Sequence, residues 1–237
     1  RGSFKTIYYA TYENKPVAVG MLHHNVGQSD FEREIYFLKN LHHKNIIEFI
    51  GICYHNERCC VLTEYCDHRS LLDFMKRTDG IGLKDLKSDN ILIKSSNTDY
   101  ITAKISDFGV SRISHMEMLM STRAYPNWKA PEILARTSAH YNEKIDIYSA
   151  GLVFWEIFTW GKEGIPYSKF NPKSENDLYR LVMQGDRPSV DPLIRNNIGN
   201  SIIDLILSMW ETEPEIRPSI EIIVTTLSEI HSNNVRG

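Results

Sequence analysis

Apolar and β-branched residues crowd the first 65 positions in short runs separated by turn formers. "SFKTIYYATYE" (3–13) and "PVAVGML" (16–22) read as two strands, with "NK" (14–15) as the turn signal between them. "DFEREIYFLKNLHH" (30–43) sets apolar side chains at 31, 35, 38 and 41, near helical spacing, and Asp30 stands where it can cap that helix. "NIIEFIGICYHNERCCVLTEY" (45–65) reads as two more strands joined around His55-Asn56-Glu57. After this the period changes. "SLLDFMKR" (70–77) predicts a short helix opened by Ser70, and "NILIK" and "AKISD" predict short strands flanking "SSNTDY". Helices are expected near 130–136, 146–160, 175–184, 200–210 and 219–231, with Pro166, Pro172, Pro188, Pro192, Pro214 and Pro218 punctuating the intervals. A small sheet with one helix, then a helical remainder, predicts an α+β chain of two lobes with polar motifs near their junction.

Composition narrows this picture in a few places. A chain of 237 residues suits one large domain or two lobes sharing a core, and 42% hydrophobic content excludes wholesale disorder. A formal charge of −3 gives no reason to expect nucleic acid or an anionic membrane as the main partner. No run of 18 apolar residues exists, so no membrane span is expected. The most apolar stretch, "SAGLVFWEIFTW" (149–160), is too short, carries Glu156 and reads as a helix buried in the fold. There is no signal-peptide pattern, and a chain opening at Arg1 is expected to be a piece of a longer polypeptide. Cys53, Cys59, Cys60 and Cys66 lack a paired C-x-x-C spacing and fall in strand-like sequence. Buried reduced thiols in an intracellular (cytoplasmic) protein are expected there, rather than zinc.

Asp85, Asn90 and Asp107 carry the candidate chemistry. Asp85 and Asn90 stand in "DLKSDN", ahead of the strand "ILI", and Asp107 ends the next strand, in "SDFG". A tight strand-turn-strand would bring that loop and Asp107 together. Two carboxylates and an amide oxygen there would make a hard-oxygen site suited to Mg²⁺ with phosphate. An Asp at a strand end is, alone, more often a turn former or cap. The joint pattern D-x-K-x-x-N, sixteen residues, then D-F-G is far more specific.

With "APE" (130–132), "DIYSAG" (146–151), "LVMQGDRP" (181–188) and "MWETEPEIRPS" (209–219), these motifs resemble the eukaryotic protein kinases over nearly the whole chain. The resemblance is closest to the tyrosine-kinase-like group of Ser/Thr kinases. It implies a two-lobed protein-kinase fold, with a small β-rich N-lobe at 1–65 and a larger helical C-lobe at 66–237. It also implies ATP with Mg²⁺, and a protein substrate or signalling partner. By position, Asp85 would orient the substrate hydroxyl and accept its proton, and Lys87 would neutralise charge on the moving phosphoryl group. Asn90 and Asp107 would hold Mg²⁺. Thr63 would be the gatekeeper behind the adenine, with Glu64, Tyr65 and Cys66 as the hinge and Ala18 among the nucleotide-binding positions. Lys87 after Asp85-Leu86 implies Ser/Thr specificity. Glu132 and Arg217 match a buried structural ion pair of the family, and Asp146 matches an acceptor for catalytic-loop N–H groups.

The pattern departs from the family in four places. The strand that should read V-A-V-K reads "VAVG", so Gly20 replaces the ATP-anchoring lysine that would pair with Glu34. "RGSFKTIY" resembles the phosphate loop of the with-no-lysine kinases, in which a lysine on the preceding strand takes over. Lys5 stands there, and it reads either as that substitute or as a solvated strand lysine. The catalytic loop has Leu83-Lys84, and Lys84 lacks the bidentate fork that grips an activation-loop phosphate. Ser111, Ser114, Ser121 and Thr122 remain candidate sites for such control. Ala124-Tyr125 replaces the usual Gly-Thr, which puts the peptide shelf in doubt. Finally, only "TDGIGL" (78–83) separates "LLDFMKR" from the catalytic loop, where the family has a long buried helix of roughly 20 residues. Losing its five or six apolar side chains, at about 1.5–3 kcal/mol each, would remove on the order of 10 kcal/mol. The glycine-bearing first strand is also missing. The chain is therefore expected to be a protein kinase domain, a pseudokinase that binds without catalysing, or an incomplete product.

Overall fold

A computed structural model describes residues 5–23, 28–71, 73–75, 90–95, 101–108, 126–135 and 142–235, with side chains at 28–30, 33, 72 and 233–235 excepted. The chain forms two compact units, one within residues 1–80 and 88–113, the other within 81–87 and 114–237.

In the first unit the β-branched and aromatic runs become an antiparallel sheet ordered β1-β2-β4-β3. Its strands are β1 (Lys5–Tyr12), β2 (Lys15–Leu22), β3 (Phe49–His55) and β4 (Arg58–Glu64). Two hairpins turn on Glu13-Asn14 and Asn56-Glu57, and all four residues have positive φ, 48° to 62°. That is the mirror-image turn geometry matched to right-twisted strands. The first turn sits one residue earlier than the "NK" signal suggests, because Asn14 takes the second left-handed position and Lys15 joins β2.

Helix α1 (Gln28–Asn40) buries Leu38 against Ile47, Val61 and Cys66, with Phe31 and Ile35 beside them. It begins two residues ahead of Asp30, so Asp30 lies within the first turn instead of capping it. Ser70 does open a helical turn: its Oγ accepts the Asp73 N–H at 3.1 Å.

A separate hairpin, β5 (Ile91–Ser95) and β6 (Ile101–Ile105), is stitched in on both sides. On the β6 side, Ile47 N–H donates to Ile105 O (3.0 Å) and Ile105 N–H to Asn45 O (2.7 Å). On the β5 side, Ile93 N–H donates to Arg69 O (2.7 Å) and His68 N–H to Ile93 O (3.1 Å).

The second unit is helical: α2 (Pro131–Leu134), α3 (Lys144–Phe158), α4 (Glu175–Met183), α5 (Asp191–Arg195), α6 (Asn200–Met209) and α7 (Ile220–Val235). The long apolar stretch is α3, buried along Ile147, Tyr148, Gly151, Leu152 and Trp155. Its Ile147 meets Leu205 and Met209 of α6 and Ile223 of α7 in one core. A Cβ at Gly151 would stand 2.9 Å from Met209 Cβ, so a bare backbone sets that close approach.

Arg217, 1% exposed, forms the expected pair with Glu132 through two parallel bonds of 2.8 and 2.9 Å. Its other N–H groups reach the carbonyls of Glu211, Lys144 and Thr212, so all five donors are used. The guanidinium also lies 5.0 Å from the Tyr148 ring centroid. Asp146 sits in the first turn of α3; the loop it was expected to serve lies outside the described residues, as do segment 78–83, Lys84, Tyr125 and the candidate phosphorylation sites.

Candidate functional site

Cross-strand partners in a sheet share a face. Ile7 pairs with Gly20 and Tyr9 with Ala18 across β1 and β2; Gly20 pairs with Val61 and Ala18 with Thr63 across β2 and β4. One face of the first sheet therefore carries Lys5, Gly20, Ala18 and Thr63 together. Lys5 crosses this face to Glu34 of α1: its Nζ donates to Glu34 Oε1. Glu34 is 3% exposed, and among the described residues Lys5 supplies the cation beside it. Gly20 makes the crossing possible. A Cβ there would lie 3.0 Å from Lys5 Cδ and 3.7 Å from Cε, so the lysine stem fills the volume that a side chain at 20 would take.

Asn90 and Asp107 flank one end of the β5–β6 hairpin. The ladder runs out at Ile91 and Ile105, and the next pair is held by Ser106, whose N–H (2.8 Å) and Oγ (3.1 Å) both donate to Asn90 O. Asp107 follows with φ 66°, a left-handed conformation that costs a non-glycine residue on the order of 1 kcal/mol. The residues on either side enforce it. Ser106 is tied to Asn90, and Phe108 packs on the Leu38–Ile47–Val61 cluster with its ring 6.2 Å from that of Phe37.

Glu64, at the end of β4, is spent elsewhere. Its carboxylate takes Lys94 and Lys104 at 2.5 Å each and accepts the Glu48 N–H at 2.9 Å. Burial pushes this carboxyl up, but the hydrogen bonds from Lys104 and Lys94 outweigh it and leave Glu64 below the ordinary carboxylate range. Its side chain therefore ties the sheet to the hairpin, and its N–H donates to Glu48 O at 3.0 Å. The Cys66 side chain belongs to the apolar cluster, and burial, then the charge of Glu64, push its thiol up to about 11.

The structure thus brings Lys5, Glu34, Ala18 and Thr63 to one face, and Asn90 and Asp107 to one hairpin end. Asp85 and Lys87 lie outside the described residues. Sequence reasoning missed Lys94 and Lys104. No local pattern marked them: only the observed register makes Lys94 and Lys104 diagonal neighbours on one face of the hairpin. Among the described residues no helix is long and apolar enough to cross a membrane.

The protein kinase domain profile matches residues 78–227, more than half of the chain. The chain belongs to the protein kinase family. A second profile, protein tyrosine and serine/threonine kinase, matches residues 1–81. Relatives include serine/threonine-protein kinase STY46 of Arabidopsis thaliana, 28% identical over 97% of this chain and 42% of its own length. Others are the dual specificity protein kinase shkA (30%, covering 97% and 47%) and the probable serine/threonine-protein kinase roco8 (31%, covering 88% and 12%), both of Dictyostelium discoideum. This kinase domain spans less than half the length of these relatives. It is an α+β domain of the tyrosine-kinase-like group, with a small antiparallel-sheet N-lobe and a helical C-lobe.

The same relatives bear on the short segment before the catalytic loop. The STY46 and shkA alignments run over 256 and 264 positions, yet each covers 97% of 237 residues, about 230, so some 26 to 34 positions face a gap in this kinase domain. The two profiles meet at 78–81, where the sequence lacks the length of a helix.

Proposed function

We propose that this kinase domain binds ATP with Mg²⁺ and transfers the γ-phosphoryl group to serine or threonine hydroxyls of protein substrates. The observation that carries the reading is the Lys5–Glu34 ion pair over Gly20: a cation stands beside the helix glutamate although the usual strand position holds glycine. In this reading Lys5 draws the nucleotide phosphates toward the sheet face, and Ala18 and Thr63 bound the adenine. Backbone groups of Glu64, Tyr65 and Cys66 hydrogen-bond its edge.

The placement of Asn90 and Asp107 at one hairpin end, where the intervening Ser106 bonds to Asn90 O, supports a hard-oxygen donor set, an amide and a carboxylate, suited to Mg²⁺. The metal, when bound, would neutralise charge on the phosphates. Asp85 orients the incoming hydroxyl and accepts its proton, and Lys87 offsets the charge gathering on the transferred group. Catalysis of this kind rests on positioning and electrostatics, which the anchored conformation of Asp107 serves. The lobes in this reading are residues 1–65 and 66–237. An intracellular location belongs to the same proposal, and neither nucleic acid nor a membrane does.

A second reading is favoured by the short sequence 78–83 ahead of Asp85, which lacks the length of a helix: a pseudokinase that holds nucleotide or a signalling partner without turnover. Two measurements divide them. A thermal-shift titration with Mg²⁺-ATP reports binding, expected in both readings. Phosphate transfer to a generic protein substrate is expected from the native chain and lost in Asp85→Asn; equal signals from the two leave the pseudokinase standing.

A further inference from the structure

Cys53 and Cys60 are register partners on β3 and β4, across the hairpin that turns at Asn56-Glu57. Directly opposed residues of an antiparallel pair point to the same face with Cα atoms about 4.5–5.5 Å apart, within the roughly 4.4–6.8 Å that a disulfide spans. The Cys60 thiol donates to Arg58 O at 3.7 Å, on the same hairpin. The next rung, Tyr54 with Cys59, points to the opposite face. Access differs as well. Cys60 is fully buried, while Cys53 is half-buried on an edge strand. A small oxidant therefore meets Cys53, and the one sulfur poised behind it is that of Cys60.

We propose that Cys53 and Cys60 form a reversible thiol–disulfide modification site, oxidised by peroxide to a cross-strand disulfide. The Cys53 thiolate attacks one peroxide oxygen. The O–O bond breaks, the released hydroxide takes the thiol's proton as water, and Cys53 becomes a sulfenic acid. Cys60 sulfur, giving up its proton, then attacks Cys53 sulfur; the S–O bond breaks, and the hydroxide leaves with that proton as a second water. Two thiols lose two hydrogens, and one peroxide is reduced to two waters. A dithiol reverses the bond by exchange. The cross-link fastens the edge strand β3 to β4, the strand that ends at Thr63 and Glu64.

The test uses the whole chain, reduced, exposed to hydrogen peroxide, alkylated and digested with trypsin without reductant. Cleavage after Lys44, Arg58 and Arg69 puts Cys53 in peptide 45–58 and the other three cysteines in peptide 59–69. The expected product is those two peptides joined, with fragment ions assigning the link to Cys60. It disappears with dithiothreitol, persists in Cys59→Ser and Cys66→Ser, and is absent in Cys60→Ser. The proposal is overturned if the link maps to Cys59 or Cys66, if the main disulfide lies within 59–69 or between chains, or if peroxide leaves Cys53 unlinked. Fragment-ion assignment on the unsubstituted chain, with a non-reducing gel to separate monomer from cross-linked dimer, distinguishes these outcomes whether or not a variant folds.

Discussion

At residue 20 the absence of a side chain does as much as any side chain nearby. Valine there would take the volume that the Lys5 stem fills and push the ammonium group away from Glu34. Gly20→Val and Lys5→Met are both expected to weaken Mg²⁺-ATP binding about tenfold or more, from the 1.5–3 kcal/mol typical of a hydrogen bond to a charged group. Isothermal titration measures it, and unchanged affinity in Lys5→Met would reject the anchor role. Asp107 demands a different substitution logic. Its left-handed φ of 66° suits Asn as well as Asp, so Asp107→Asn removes charge at constant backbone, whereas Asp107→Ala adds strain. At this scale, Lys5 was legible because Gly20 breaks a strand pattern and leaves Glu34 in need of a cation. The clasp of Lys94 and Lys104 on Glu64 was not, because it depends on which face of a hairpin meets β4, and no local period encodes that.

Elements show where periodicity suffices. Strands β1 to β4 and the long helices were readable because each repeats its apolar spacing over seven residues or more. Helix α5 was not: five residues complete barely one turn, so they carry no detectable period. Helix α1 starts ahead of its expected cap for a related reason, since an acidic residue suits both the cap and the first turn. What packs these helices gives two expectations. Gly151→Ala forces a methyl group into Met209 and should cost about 1–3 kcal/mol as α3 and α6 separate. Arg217→Met leaves Glu132 without this partner and removes one donor from each of three carbonyls. A loss of about 3–5 kcal/mol is expected, with Arg217→Lys only partly restoring it. Urea denaturation followed by circular dichroism reads both.

Over the whole molecule, Glu64 is one carboxylate through which acid should act, and Asp67, which burial pushes up but hydrogen bonds from Ser95 hold low, is another. The folded-state pKa of Glu64 is depressed, so it stabilises the fold above its unfolded value and ceases to do so as pH falls through the depressed one. Urea midpoints recorded between about pH 6 and pH 3 should fall on the acid side, and Glu64→Gln should flatten that part of the profile. A slope unchanged by the substitution would assign the acid sensitivity to other carboxylates. The shared volume above Gly20 also couples two positions. A lysine placed at 20 while Lys5 keeps its seat would compete with it for space and for one carboxylate. Gly20→Lys and Lys5→Met are therefore expected to be less costly together than the sum of their separate effects.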